Sequence, residues 1–349
     1  MLRILLLLIA SSSLSACYYM QAASGQWEVM RKRVPIDEVI AAPTTAPELG
    51  RKLSLLVEAR EFSVEVLRLP DNKSYRSYAD LQRDYVVWNV LAATEFSLQP
   101  KQWCFPVAGC VSYRGYFSEL RAVRKSQQLA ADGFDVAVGG VAAYSTLGKF
   151  SDPVLNTMMH WDDAELLALL FHELAHQVVY VKGDTAFNES FATAVEEFGV
   201  QAWLDQKTTG EAVDGYASDE NYRHEFSNIL DAARGDLRLI YTQEIDAVEM
   251  RRQKKLRFDE LSIDLRALAE ANERPISAWY AGELNNAHLI SSAVYEGLLP
   301  QFREIYAGCG EDIDCFYAAA KRLAALDKGE REQMLSTGDL LRFSRGTDT

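Results

Sequence analysis

The chain has 349 residues, of which 48% are hydrophobic, and its formal charge at pH 7 is −14. This length allows one large domain or two closely packed ones, and the hydrophobic fraction supports a substantial core. The acidity argues against nucleic acid and against anionic lipid as partners, because both are polyanions.

The first residues have the pattern of a lipoprotein signal. A basic start and the apolar run Ile4–Ala10, too short to span a membrane, end in L-S-A-C at residues 14–17. We expect cleavage after residue 16 and a lipid attached to Cys17; an ordinary secretory signal is the alternative. The mature chain then has 333 residues (349 − 16) and a charge of −15, since only Arg3 is lost. Tyr18 is not the Asp that signals inner-membrane retention, which favours the outer membrane, facing the periplasm.

Residues 17–47 form an anchor-proximal segment, with a helix predicted from residue 18 to residue 33 and prolines after it. The main domain is predicted to span residues 48–335, and residues 336–349 form a loose tail. The main domain begins with an amphipathic helix to about Leu67, because leucines recur there at helical spacing. From residue 206 to residue 335 we predict mostly helix.

A small sheet is predicted within residues 80–150. Tyr85–Val90 favours a strand, residues 103–117 a hairpin, and Glu119–Ala131 a helix. Residues 134–148 are predicted to form a strand with a break at Gly139 and Gly140, where another backbone could approach. A core strand with a bulge is the alternative.

Four cysteines besides Cys17 fall into two pairs with the same spacing. The pairs are Cys104 with Cys110 and Cys309 with Cys315. Two local disulfides are expected in an oxidising periplasm. A cysteine metal site is the rival, but neither pair has the C-x-x-C spacing.

The segment Leu169–Val179 contains H-E-x-x-H. In a helix, His172 and His176 stand one turn apart on one face, so both imidazoles can reach one metal ion. Glu173 can contact a metal-bound water without being a ligand. The helix is expected to begin near Asp162 and to end shortly before Gly183.

A second helix is predicted from Asn188 to Gly199, with Asn188 as its cap. A short connection makes neighbouring helices antiparallel, which returns this helix beside His176. Glu189 and Glu196 share one of its faces, so geometry alone admits either of them as the third ligand.

The two blocks, H-E-L-A-H-Q at residues 172–177 and N-E-S-F-A-T-A-V-E-E-F-G at residues 188–199, resemble the zinc blocks of the gluzincin aminopeptidases. The resemblance makes Glu189 the third ligand of one zinc ion, with Glu196 and Asn188 as supporting residues. Twelve residues separate His176 from Glu189, so the connecting loop is shorter than in that family. With the lipobox and the W-C-F-P segment at residues 103–106, most of the mature chain is similar to a bacterial family described as predicted aminopeptidases.

The resemblance implies an α+β fold, mainly helical, in which a small disulfide-pinned β-sheet precedes gluzincin-like zinc helices at about residues 162–205. It implies a zinc-dependent peptide hydrolase, an aminopeptidase, with Glu173 as general base on a zinc-bound water. An oxyanion donor is also needed, and His288, Tyr295 and Tyr280 are the candidates. His160 and His224 are given structural roles only.

The substrate is expected to be a peptide that pairs with an edge strand marked by Gly139, Gly140 and Tyr144. Related aminopeptidases bind the substrate amine through a Glu in a G-x-M-E-N segment, and residues 139–143 contain no Glu. Glu196 or Asp135 would have to replace it. An envelope endopeptidase and a non-catalytic, zinc-stabilised lipoprotein therefore remain as alternatives.

Overall fold

The computed structural model of the protein describes residues 18–105, 109–207, 211–290 and 297–337, with the backbone alone for residue 207, residues 211–220 and residue 337. The helices are α1 (18–31), α2 (Ile36–Ala41), α3 (Pro47–Glu65), α4 (Glu119–Ala131), α5 (Asp163–Ala175), α6 (Thr185–Lys207), α7 (Glu211–Tyr241), α8 (Ala247–Ala271), α9 (286–290), α10 (Leu299–Gly308), α11 (Ile313–Ala325) and α12 (Lys328–Thr337). The strands are β1 (Arg33–Pro35), β2 (Ser77–Ala79), β3 (Val87–Thr94), β4 (Trp103–Phe105), β5 (Gly109–Val111), β6 (Arg114–Tyr116), β7 (Phe134–Val141) and β8 (Val154–Leu155). The predicted α+β fold, mainly helical with small sheets, is confirmed.

The main core lies around α5 and α6, which pack against α3, α10 and α11. Its centre is aromatic, because Phe171, Phe191, Phe302 and Phe316 are fully buried there. Gly199 allows α6 to approach α5 closely, since a Cβ at this position would lie 2.7 Å from the ring of Phe171. The close packing leaves the two central helices little freedom to shift.

An antiparallel sheet in the order β6-β3-β7 stands beside these helices. Strand β3 pairs with β7 along its whole length, and α4 covers the sheet through Ala122 and Leu129. Among the described residues, β7 pairs with β3 alone. At its other edge, the Asn285 amide donates to the Val136 carbonyl at 3.0 Å.

A second core lies between α7 and α8 and the loop that follows them. Buried leucines and Phe258 fill it, and Trp279 and Tyr280 close one end. This core is smaller than the main one, and it supports the wall that α7 adds to the site. In the described part of the chain, no helix has both the length and the apolar content that crossing a membrane would need.

The anchor-proximal segment packs into the main domain. Strand β1 pairs with β2, which pairs with β8, and Val29 and Ile36 are buried in the main core. The sheet-forming residues therefore extend beyond the predicted range 80–150, because β1, β2 and β8 lie outside it. Of the predicted tail, residues 336 and 337 belong to α12 and the rest lies outside the described residues.

Two predicted element ends are wrong. The strand predicted to reach residue 148 ends at Val141, because the chain then turns and the Asp152 carboxylate accepts hydrogen bonds from the Thr146 backbone and hydroxyl, each at 2.9 Å. Helix α5 ends at Ala175 rather than near Val181, since a tight turn follows in which the Val178 N–H donates to the Ala175 carbonyl.

Both predicted cysteine pairs lie at disulfide-bonding distance. Cys104 and Cys110 join opposite positions of the β4–β5 hairpin, whereas Cys309 and Cys315 join the end of α10 to the first turn of α11. Gly109, on the same hairpin, adopts a φ of +81° and lies against Lys182 and Gly183. The first disulfide therefore stabilises a hairpin that packs on the turn between α5 and α6.

Candidate metal centre

Helix α5 carries His172 and Glu173 in its last turn, and His176 is the residue that directly follows its end. The helix starts with a reciprocal cap, in which Asp162 accepts from the Glu165 N–H at 2.8 Å and Glu165 accepts from the Asp162 N–H at 3.0 Å. This cap sets the helical phase that places both imidazoles on one face. The two ring centroids lie 4.9 Å apart.

Helix α6 brings Glu189 to the same place. It begins at Thr185, so Asn188 lies inside the helix and is not the predicted cap. The Asn188 side chain instead accepts from the Val181 N–H at 2.7 Å and donates to the Val181 carbonyl at 2.8 Å. At the start of α6, the buried Arg331 guanidinium donates to Asp184 at 2.7 Å. The short loop is therefore tied at both ends.

The three predicted ligands converge. Glu189 Oε2 lies 3.3 Å from His172 Nε2 and 3.5 Å from His176 Nε2. One donor atom from each residue lies within 4.8 Å of the other two, and the group could hold a metal ion. Two imidazole nitrogens with one carboxylate oxygen form the donor set of catalytic zinc sites, so the residues fit zinc.

Glu196 lies on the other side of the first histidine. Its Oε2 is 3.1 Å from His172 Nδ1, and its Oε1 is 3.7 Å from the Arg223 guanidinium. With Nδ1 protonated toward Glu196, the Nε2 lone pair of His172 points to the converging group. Glu196 thus contacts Nδ1 of His172, whereas Glu189 belongs to the converging group.

The charges of the group favour a cation. Burial of the His172 ring opposes its protonation, but Glu189 and Glu196 outweigh this effect and raise the pKa of His172 well above its usual value. Burial likewise opposes ionisation of Glu189, yet His176 and His172 hold the pKa of that carboxyl well below its usual range. Closely spaced carboxylates and imidazoles of this kind are the surroundings that a divalent ion stabilises.

Glu173 is buried beside the ligands and is not one of them. In the described part of the chain, its Oε2 atom is buried without a hydrogen-bond partner. Burial raises the pKa of the Glu173 carboxyl; His176 and His172 lower it, and the charges of Glu189 and Asp152 raise it further. A carboxyl with a raised pKa and an unused oxygen suits proton transfer.

These residues line a cavity of about 870 Å³. Residues 141–145 after β7 form one wall, α5 and α6 form the floor, and α7 adds Asn221, Arg223, His224 and Ser227. The disulfide-linked hairpin contributes Phe105 and Val111. The cavity is large enough for several residues of a peptide.

Of the predicted oxyanion donors, the two that the structure describes, His288 and Tyr280, do not line this cavity. His288 contacts Asn285 and lies with its ring centroid 5.0 Å from that of Trp279, whereas Tyr280 is buried in the second core. Neither residue belongs to the cavity lining. Residue 295, the third candidate, lies outside the described residues. The positions of His288 and Tyr280 depend on how the loop after α8 packs on β7, and no sequence pattern indicates that packing.

The predicted edge strand is partly at the site. Val141 and Tyr144 line the cavity, but Tyr144 lies after the end of β7 and its hydroxyl hydrogen-bonds to Gln26. Gly139 and Gly140 give room for other side chains, since a Cβ would lie 2.7 Å from Trp279 at Gly139 and 2.3 Å from Tyr85 at Gly140.

Of the two predicted amine-binding carboxylates, Glu196 lines the cavity and Asp135 does not. Asp135 accepts from Lys254 at 2.6 Å and from the Asn286 backbone at 3.0 Å. It therefore stabilises the contact between β7 and the helices that follow, which removes it from the candidates.

Sequence reasoning missed Tyr113, Tyr180 and His224, all of which line the cavity. Burial, and after it the charge of Glu189, raise the pKa of Tyr113 well above its usual value and that of Tyr180 above it. Both hydroxyls are thus protonated donors near the ligand group. His224, predicted from the sequence to have a structural role only, is exposed on α7 and lines the cavity.

Comparison with known proteins gives one match. The model of a family described as "Putative aminopeptidase" matches residues 17–335 of the chain. Neither the curated proteins nor the solved structures contain a significant match.

Proposed function

The chain belongs to the putative aminopeptidase family, and on that premise we propose that it is a zinc-dependent aminopeptidase. Family membership supports peptide hydrolysis in general. The assignment of zinc rests on one observation, the convergence of His172, His176 and Glu189 on a cavity that also contains the unpaired oxygen of Glu173. A structural metal site would not need a buried carboxyl next to its ligands.

The proposed ligands are His172, His176 and Glu189, and one zinc ion is held per chain. When bound, zinc supplies a Lewis acid for the scissile carbonyl and makes water more acidic. Glu196 keeps the His172 ring in the tautomer that presents Nε2 to the site.

Glu173 carries the proton in this proposal. It removes a proton from the attacking water as the new C–O bond forms. It then delivers that proton to the amine nitrogen as the C–N bond breaks. Such assistance accelerates reactions typically by about a hundred- to ten-thousand-fold.

Tyr113 and Tyr180 replace His288 and Tyr280 as the proposed oxyanion donors. They line the cavity, and the Glu189 charge acts on both of them. A hydroxyl held in a dry site stabilises negative charge on the substrate oxygen.

The preference for a free amino terminus would rest on carboxylates of the cavity wall. Glu196 and Glu197 both line the cavity, and Glu197 is paired with Arg303 at 2.6 Å. Residues 139–143 contain no carboxylate, which keeps an endopeptidase as the second candidate.

The test is cleavage of matched peptides by the mature, zinc-loaded protein. One peptide of each pair has a free amino terminus, and the other is acetylated. Cleavage of the free peptide alone supports an aminopeptidase, and internal cleavage of both makes the protein an endopeptidase.

Glu173→Gln is the mechanistic variant for this assay. The amide is nearly isosteric, so zinc content and Tm should stay near wild type while turnover falls by about a hundredfold or more. Cleavage within a few-fold of wild type by the zinc-loaded variant would exclude Glu173 as the base.

The proposed location is the outer membrane, facing the periplasm, with the lipid attached to Cys17, which lies outside the described residues. The lipobox at residues 14–17 supports it. Mass spectrometry of membrane-derived peptides should find an acylated Cys17, and a mature protein that begins elsewhere would refute the anchor.

A further inference from the structure

Helix α1 exposes apolar side chains to solvent. Tyr19, Met20 and Trp27 are 46%, 62% and 65% exposed. Met20, Ser24, Trp27 and Arg31 follow helical spacing and lie on one side of the helix. Glu28 is the acidic residue of α1, and it is half-buried and paired with Arg83 at 3.0 Å. The solvent-facing side of α1 is therefore apolar with a cation, the reverse of an ordinary surface helix.

The opposite side of α1 is fixed to the domain. Val29 is buried in the main core, and Gly25 lies so close to Phe117 that a Cβ would overlap its ring. The Gln21 side chain accepts from the Phe117 N–H at 3.1 Å. Because these contacts hold the helix in place, it cannot turn its apolar side inward.

Helix α4, next to α1, adds arginine side chains and an exposed leucine to this surface. Met20, Ser24 and Arg121 line one groove between α1 and the start of α4. Leu120 is 59% exposed, and Arg121 and Arg124 are exposed near it, one turn apart. Glu119 is the acidic residue of this turn. We call the surface of Met20, Trp27, Arg31, Leu120, Arg121 and Arg124 the α1–α4 face.

The α1–α4 face adjoins both the predicted lipid anchor and the cavity. Cys17 directly precedes Tyr18, the first described residue, in the chain. Tyr18 and Ala22 line the cavity, and the Tyr18 ring stacks on Phe105 of the hairpin. Tyr113 and Glu189 line the same cavity as Tyr18.

We propose that the α1–α4 face lies on the membrane surface beside the lipid of Cys17, which holds the cavity on the other side of α1 close to the bilayer, and that the protein acts on peptides presented there. The substrate part rests on the proposed peptidase function; the contact part rests on the anchor alone. Aromatic and apolar side chains flanked by arginine are typical of interfacial helices.

The charge distribution determines how the protein is oriented on the membrane. The chain carries −14 overall, so most of its surface is repelled by anionic lipid, whereas the α1–α4 face has three arginines. An acidic protein held by a lipid at Cys17 is thereby oriented with this face toward the bilayer. The net charge argues against lipid binding by the whole molecule and is compatible with a local contact.

The contact is tested with the acylated full-length protein in vesicles of phosphatidylethanolamine and phosphatidylglycerol whose acyl chains are brominated. Bromine quenches tryptophan that reaches the acyl boundary, so wild type should be quenched and Trp27→Phe should lose most of that quenching. Equal quenching of the two proteins, or none in wild type, overturns the contact, including the case in which a protein partner covers the face.

The substrate class is tested with one peptide in two forms, free in solution and tethered to the same vesicles by a lipid at its carboxyl end. The double variant Arg121→Glu and Arg124→Glu should cleave the tethered form about tenfold or more slowly and the free form at the wild-type rate. The double variant Arg251→Glu and Arg252→Glu on α8 is the control, because it changes the net charge equally and should leave both rates unchanged.

The outcomes separate the two proposals. No cleavage of either form, with quenching still dependent on Trp27, contradicts the peptidase function and leaves the contact supported. Quenching that depends on Trp27, with equal rates for the α4 and α8 variants on the tethered peptide, overturns presentation at the membrane. Met20→Ser, with Leu239→Ser as a similarly exposed control, repeats the contact test should Trp27→Phe fold poorly.

Discussion

The helix pairs α5–α6 and α7–α8 are alike in architecture and opposite in what they bury. Between α5 and α6 the buried side chains include His172, Glu173, His176, Asn188 and Ser190. Between α7 and α8 the second core is apolar, and ion pairs such as Arg257 with Asp236 at 2.8 Å reach the surface.

Polar groups in a core cost free energy unless each has a partner, so the polar side chains between α5 and α6 require specific partners, as the buried Arg234 of α7 does with the Leu289 carbonyl. Glu196 is the hydrogen-bond partner of His172, and Val181 is the hydrogen-bond partner of Asn188. The comparison predicts that substitutions between α5 and α6 change metal binding, whereas those between α7 and α8 change stability alone.

The largest effect is expected for His172→Ala. Loss of one of three ligands should reduce zinc from about one per chain to almost none, measured by elemental analysis after gel filtration. His224→Ala, on the α7 wall of the same cavity, is the control and should retain zinc. Full occupancy in His172→Ala would contradict the ligand assignment.

Glu189 and Glu196 of α6 are expected to differ in their effect on zinc binding. Glu189→Gln should empty the site. Glu196→Gln should bind zinc about ten- to a hundredfold more weakly and still fill at saturating metal, because it removes only the partner of His172 Nδ1. Titration with a competing chelator measures both affinities. An empty site in Glu196→Gln with a filled one in Glu189→Gln would reverse the two roles.

A substitution that creates a cavity in the second core should lower stability without changing zinc affinity. Leu261 on α8 is fully buried, and Leu261→Ala should lower the free energy of unfolding by about 2–5 kcal/mol. Leu170→Ala, equally buried on α5, should cost a similar amount and also weaken zinc binding, since it loosens the helix that carries His172. Denaturant unfolding and zinc titration distinguish the variants, and equal zinc affinity in both would weaken the contrast.

The local part of the site was predictable from sequence, and the long-range part was not. H-E-x-x-H fixes the relative positions of His172 and His176 within one helix, so their convergence follows from helical geometry. The choice of Glu189 over Glu196 came from family resemblance, and the structure supports it through the two nitrogens of His172. Tyr113 and His224 reach the cavity through tertiary packing, for which the sequence has no periodic signal.

The wrongly predicted ends of α5 and β7 also result from tertiary contacts. Helix α5 stops at Ala175 although apolar residues continue to Val181, because Asn188 binds both backbone groups of Val181 from the next helix. Strand β7 stops at Val141 because Asp152 hydrogen-bonds with Thr146. Contacts between residues distant in sequence override local propensity in both places.

The smallest expected effect concerns Asp152, a buried carboxyl that lies beside the α5–α6 pair. Burial raises the pKa of Asp152 to about 6, and hydrogen bonds from Thr146 oppose that rise. Between about pH 4 and pH 6 the unfolded chain gives up this proton while the folded chain keeps it, so the free energy of unfolding falls as pH rises through that window. The loss is complete above about pH 6 and amounts to about 3 kcal/mol at most.

Asp152→Asn removes this titration. The amide forfeits part of the Thr146 contact at every pH, so the readout is the change in Tm difference between variant and wild type from pH 4 to pH 8. That difference should move in favour of the variant by several degrees. Asp236→Asn on α7, whose carboxyl is largely exposed, is the control and should show a much smaller change. A Tm difference for Asp152→Asn that stays constant with pH would show that the carboxyl is already ionised at pH 4 in the folded protein. The buried surroundings of Asp152 would then accept a charged carboxylate, which contradicts the raised pKa.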